Sequence, residues 1–416
     1  MIDQFELDNG LVACVSPNRS IPIVAVSLWY RVGSADEVAG RTGLAHLFEH
    51  LMFQGSRHVG KGEHFTLIQS VGGRANAATG LDRTFYYERL PSQHLELALW
   101  LEAERLAHLA DGLDSSTLDN QRDVVRNERR SRIDNQPYGD AEERLQSLLY
   151  PADHPYAHDV IGSMDDLAAA SLDDVRAFFS TFYAPANAVL AVVGDFEVPS
   201  AMRMVQRHFG GLPAGKPAPP RTTPAAIPRA VSTRVVGAVS LPRCYLTYPI
   251  PSLGSSAWDA GEVVADLLGR GRASRLYANL VRSELAQSAN AWTYPLVDDP
   301  ARLTIDVTAR ADGNTDELTA AVLHEVERLG EGGPSGPELD RVRNLRRTEH
   351  ATDMERSQAR ADRIGMYASL LGTPDSVDEE VARYEAVGND DVRDFVAGYL
   401  RHDRAARLTY VPEAGR

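Results

Sequence analysis

Alternating apolar and polar positions predict strands at Ile23-Val-Ala-Val-Ser-Leu-Trp-Tyr30 and Arg302-Leu-Thr-Ile-Asp-Val-Thr308, since side chains along a strand point to opposite faces in turn. From Leu95 to Leu109 the apolar positions return every three or four residues, which predicts a long amphipathic helix. Strands come in clusters instead of alternating strictly with helices. That favours an α+β fold over a doubly wound parallel sheet.

The pattern also repeats. Asp173-Asp174-Val175-Arg176-Ala177-Phe178 recurs as Asp390-Asp391-Val392-Arg393-Asp394-Phe395, an offset of 217 residues. Each copy opens a helix with acidic residues in its first turn, where the helix dipole favours them, and each runs on into a β-branched segment. The same offset aligns Val125-Arg126-Asn127-Glu128-Arg129-Arg130 with Val342-Arg343-Asn344-Leu345-Arg346-Arg347. Two matches at one offset predict a duplicated domain. The proline-dense stretch from Gly210 to Pro228 disfavours helix and central strand and reads as an extended linker. The expected domains are therefore 1–212 and 229–416, joined by a linker over 213–228.

Composition narrows the function classes. The chain has 416 residues and a net charge of −15, and its basic residues are almost all arginine, with lysine only at Lys61 and Lys216. Such an acidic balance argues against a nucleic-acid partner. No apolar run approaches the length of a membrane span. The first residues, Met1-Ile-Asp-Gln-Phe-Glu-Leu, lack the pattern of a secretion signal, so the expected location is cytoplasmic. Cys14 and Cys244 are the only cysteines, which excludes a disulfide framework and disfavours a thiolate zinc site.

The candidate chemistry lies in Gly43-Leu-Ala-His46-Leu-Phe-Glu49-His50-Leu-Met-Phe53. On a helix, His46 and His50 stand one turn apart on one face, and Glu49 points to the same side. Two imidazoles so spaced suit zinc with a coordination position open to water, and the neighbouring carboxylate can act as general base. The offset places Val263, Asp266 and Leu267 where His46, Glu49 and His50 stand, and Leu345 where Glu128 stands. A site kept in one copy and absent from the other selects Glu128 as third ligand, ahead of Glu102 and Glu104.

With these motifs the chain resembles the pitrilysin family of zinc peptidases, in its short-chain branch related to mitochondrial processing peptidase. The resemblance spans essentially the whole chain, including Gly72-Gly-Arg-Ala-Asn76-Ala-Ala-Thr79 and His154-Pro-Tyr156. It implies two similar α+β domains, each a mostly antiparallel sheet packed with helices, with zinc on His46, His50 and Glu128 and with Glu49 as general base. It also implies that Asn76 and Ala77, with Phe53, belong to the substrate-binding region, where an extended peptide adds to an edge strand. Many family members carry an acidic residue seven before the distal ligand; here that residue is Gln121. Single-chain members carry an arginine and a tyrosine in the second half, and the matching positions here are Leu280 and Gln287, with Arg282 close by. The expected function is a zinc endopeptidase acting on peptides or unfolded segments, with a paralogous partner subunit supplying the missing Arg and Tyr. The alternative is a non-catalytic scaffold of the same fold. Leu268-Gly-Arg-Gly-Arg-Ala-Ser274 reads as a loop, and His154-Pro-Tyr156-Ala-His158 as a structural loop without a second metal.

Overall fold

A computed structural model of the chain describes residues 2–222, 230–311 and 313–413. Its contacts divide it into two compact units. Unit 1 comprises 1–129, 158–222 and 351–378, and unit 2 comprises 130–157, 223–350 and 379–416. The units therefore exchange segments of chain, rather than dividing only at the proline-rich stretch. Part of the expected linker, 223–228, lies outside the described residues.

The strands of unit 1 are β1 (Asp3–Glu6), β2 (Val12–Pro17), β3 (Ile23–Tyr30), β4 (Arg74–Thr79), β5 (Thr84–Pro91) and β6 (Ala188–Gly194). They form one sheet in the order β1-β2-β6-β3-β5-β4, with β2 and β6 parallel and the other pairs antiparallel. Unit 2 contains β7 (Val231–Gly237), β8 (Arg243–Ile250), β9 (Ala286–Tyr294), β10 (Ala301–Ala309) and β11 (Ala406–Pro412) in the order β7-β11-β8-β10-β9. Here β7 and β11 are parallel and the other pairs antiparallel. From β2 onward, strand order and direction are the same in both units, as duplication requires.

The predicted strands coincide with β3 and lie within β10, and the predicted helix lies within Leu95–Gly112. The alternation does not translate into one wet face, however: β10 is buried throughout, and β3 everywhere but its first residue. The helix Leu95–Gly112 and the helix Ser357–Leu371 both pack against β3. The second of these helices comes from the far end of the sequence. It approaches closely because Gly365 has no side chain; a Cβ there would stand 2.3 Å from the indole ring of Trp29. Trp29 also stacks on Phe85, with ring centroids 4.3 Å apart. Ser27, polar within this buried strand, donates to Asp362 Oδ1 at 2.9 Å and accepts from Trp29 Nε1 at 3.0 Å. The buried hydroxyl is thus satisfied. Among the described residues no helix is long and apolar enough to cross a membrane.

Candidate metal centre

The motif forms the helix Leu44–Leu51, and its start is built by contacts from residues outside the helix. The Glu37 carboxylate accepts from the backbone N–H of Gly43 and of Ala45, both at 2.7 Å, satisfying donors that a helix N-terminus leaves open. Burial pushes this carboxyl well above its usual range, and the two N–H donors pull it back. Gly43 has φ 88°, and a Cβ on it would lie 2.7 Å from the Ile161 carbonyl oxygen, so only glycine fits without strain. Leu47, Phe48 and Leu51 are fully buried, with Phe48 stacked on Tyr183 at 4.6 Å and on Phe179 at 5.6 Å. This packing fixes the helix rotation, and with it the direction of His46 and His50.

Glu128 projects from the helix Ser115–Arg129, which packs against the motif helix. Its Oε2 lies 3.2 Å from His50 Nε2 and 3.7 Å from His46 Nε2. The two imidazoles stand edge to face with centroids 4.9 Å apart, and one ligand atom from each of the three residues falls within a 4.8 Å cluster. Two nitrogens and one carboxylate oxygen converging from two helices fit a zinc ion with a position left over. All three side chains are between 11% and 21% exposed, dry enough to strengthen the electrostatics yet reachable from solvent.

Glu49 is placed by an interaction the sequence pattern does not show. Thr79 Oγ1, at the end of β4, donates to Glu49 Oε2 at 2.6 Å. Burial pushes the Glu49 carboxyl above its ordinary value; the Thr79 bond and the nearby His50 pull it back, while Glu128 pushes it up. The hydrogen bond ties the candidate base to the edge strand that carries Asn76 and Ala77, of which Asn76 is exposed and Ala77 is buried.

Phe53 is buried, 8% exposed, stacked on Phe65 at 4.4 Å and edge-on to His64 and Tyr86, so most of its ring packs among neighbouring aromatic side chains. Glu102 and Glu104 are engaged elsewhere. Glu104 accepts from Ser56 and the His58 backbone, and Glu102 pairs with Arg105. Glu102 does converge with His64 and Glu88 in a second acidic cluster, but that cluster is fully buried and contains the Arg105 guanidinium. Burial raises both carboxyls there and pushes His64 down to about 3, whereas Arg105 opposes the rise of the carboxyls. An arginine already neutralising the carboxylates makes this an internal ion-pair network. Gln121 is buried and donates to Asn120 Oδ1 at 2.9 Å. His154 Nδ1 accepts the Tyr156 N–H at 3.0 Å, which fits a structural loop.

In unit 2 the repeat positions carry different chemistry. Val263 and Leu267 are buried, and Asp266 accepts from Arg346 Nε at 2.6 Å and lies 3.5 Å from Arg270 Nη1. An arginine–carboxylate pair thus stands where unit 1 collects metal donors. Leu280 is buried and Gln287 and Arg282 are exposed.

Comparison with known proteins identifies the family. The model of the family described as "Insulinase (Peptidase family M16)" matches residues 13–155, and that of "Peptidase M16 inactive domain" matches 169–346. The Zinc protease PqqE of Helicobacter pylori is 30% identical over 375 residues, covering 88% of this chain and 82% of that protein. The beta subunit of the mitochondrial-processing peptidase of Lentinula edodes is 22% identical, covering 95% of this chain and 86% of that one. The crystal structure of a protease from Helicobacter pylori superposes with a TM-score of 0.91 at 26% identity, covering 99% of this chain and all of that one. The duplicated sheet topology, the converging His, His and Glu donors, and these matches together place the chain in peptidase family M16, the insulinase- and pitrilysin-like family whose relatives are named zinc proteases.

Proposed function

We propose that the chain is a zinc-dependent endopeptidase hydrolysing extended peptides or unfolded segments. The observation that carries this reading is the convergence of His46, His50 and Glu128 beside a carboxylate, Glu49, that is hydrogen-bonded to an edge strand. A zinc ion bound by such donors supplies Lewis acidity, which lowers the pKa of water and polarises a peptide carbonyl. Glu49 then takes the proton of the attacking water on its carboxylate and delivers it to the departing amine nitrogen. Thr79 holds that carboxylate in place. The free edge of β4 offers backbone donors and acceptors to a peptide in extended form, with Asn76 and Ala77 beside it, a mode that reads shape more than sequence.

A paralogous subunit completes the site in this reading. Buried Leu280 and neutral Gln287 supply neither a cation nor a phenol to a developing oxyanion, and one relative is itself named as a subunit. The cytoplasmic location expected from the sequence belongs to the same proposal.

The decisive experiment compares metal content and peptide turnover of the wild-type chain and Glu49→Gln, each alone and mixed with a paralogue. The expected result is zinc in both proteins, with turnover by the wild-type mixture about 10²- to 10⁴-fold above that of the variant mixture. Zinc-free protein, or identical behaviour of the two, would favour the scaffold alternative. Full turnover by the chain alone would end the partner requirement.

A further inference from the structure

β4 does more than end the sheet. Thr79 and Ala77 face the motif helix, so by the period of two Arg74, Asn76 and Ala78 face the opposite side. Their cross-strand neighbours on β5 are Arg89, Tyr87 and Phe85. On that side a groove of about 800 Å³ runs between the two strands and the start of the helix Ser357–Leu371, and Arg74, Asn76, Tyr87, Arg89 and Arg356 line it.

The charge arrangement in this groove is unusual for a chain of net charge −15. Arg74 and Arg89 are exposed and stand directly opposite each other in the register. Like charges so placed destabilise a strand pair, and among the described residues neither arginine is drawn into an ion pair. Arg356 flanks them and is paired to Asp353. Glu355 and Asp362 also line the groove, but Asp362 is occupied by Ser27 and Gln358. Two free guanidinium forks side by side match a carboxylate geometrically as well as electrically.

We infer that Arg74 and Arg89 form a specificity subsite that selects peptides carrying an acidic side chain. The inference rests on the reading of β4 as the peptide-docking edge. A peptide paired to that edge sends alternate side chains to the groove side, so an Asp or Glu at one of two positions two residues apart reaches the arginines. From Arg74 to Thr79 is five steps along the strand, or ~16 Å at about 3.3 Å per residue. The acidic residue therefore lies about five positions from the bond presented to Glu49, in a region the catalytic groups do not touch.

Binding separates this inference from the catalytic one. The zinc-loaded Glu49→Gln chain is titrated with fluorescent unstructured peptides of about 15 residues that differ only in Glu or Gln, with the Glu moved along the series. The expected result is a tightening of about five- to tenfold for Glu at alternate positions, weakened at high salt. The Arg74→Gln/Arg89→Gln double variant loses the preference, the Arg74→Lys/Arg89→Lys variant, which keeps the charge without the fork, retains part of it, and circular dichroism verifies the fold of each. Peptides that bind without regard to Glu, or a preference that survives the double glutamine variant, would overturn the subsite and leave the peptidase reading standing. Failure of every peptide to bind would overturn the reading of β4 as the docking edge, and the subsite with it.

Discussion

Glu49 and the donor His50 are neighbours in sequence, yet their geometry depends on residues far from them. Thr79 holds the Glu49 carboxylate by a 2.6 Å hydrogen bond, which in the proposed mechanism presets it for proton transfer. Thr79→Val keeps the shape and removes the donor. Turnover by this variant should fall about ten- to a hundredfold with zinc content unchanged, as hydrogen bonds to charged groups contribute about 1.5–3 kcal/mol. Metal analysis with steady-state kinetics checks the pair, and unchanged kcat would show that Thr79 does not position the base. Glu128 is separated from the motif by two strands and two helices, and in the sequence it is singled out because the duplicated copy has Leu345 in its place. Thr79 and Glu37 gave no such signal. Their roles are side-chain hydrogen bonds, local for Glu37 and long-range for Thr79, which leave no trace in periodicity.

At the scale of elements, the helix Ser357–Leu371 covers one face of β3 and buries Asp362 against Ser27. Burial pushes the Asp362 carboxyl up to about 6, with the Gln358 and Ser27 hydrogen bonds and the charge of Arg83 pulling it back. A carboxyl whose pKa is raised by folding contributes stability below the unfolded value, near 4, and loses it as the pH climbs through about 6. Asp362→Asn retains an oxygen to accept from Ser27 and never ionises. Urea midpoints should show the variant more stable by about 1–3 kcal/mol at pH 8 and indistinguishable at pH 4. Equal midpoints at both pH values would mean that the ionised carboxylate is tolerated in place. The strand β3 was legible in sequence by its alternation. That both of its faces are covered was not, since the second cover arrives more than three hundred residues later.

On the scale of the whole molecule, duplication leaves one potential site per chain. The Arg346–Asp266 pair and buried Val263 and Leu267 remove the donors from unit 2, so metal analysis should give one zinc per chain. Glu128→Gln should lower the zinc content towards none; a second tightly held zinc would contradict the reading of unit 2. The exchanged segment 351–378 carries a separate consequence. A fragment ending at residue 222 lacks the helix over Trp29 and Phe85 and exposes stacked aromatic surface. It should unfold at lower denaturant than the full chain and lose the near-ultraviolet signal of a packed Trp29.

The sequence by itself determined the duplicated α+β plan, the helix that carries His46, Glu49 and His50, and the choice of Glu128, because periodicity and repeats are written in order along the chain. Only the tertiary structure decided what closes around them. It showed Glu37 capping the motif helix, Thr79 bonded to Glu49, Phe53 turned into the core, and a late helix completing the first unit. These depend on which side chains meet in space, at separations from 6 residues for Glu37 and Gly43 to 335 for Ser27 and Asp362, and such contacts impose no periodic pattern on a local stretch of sequence.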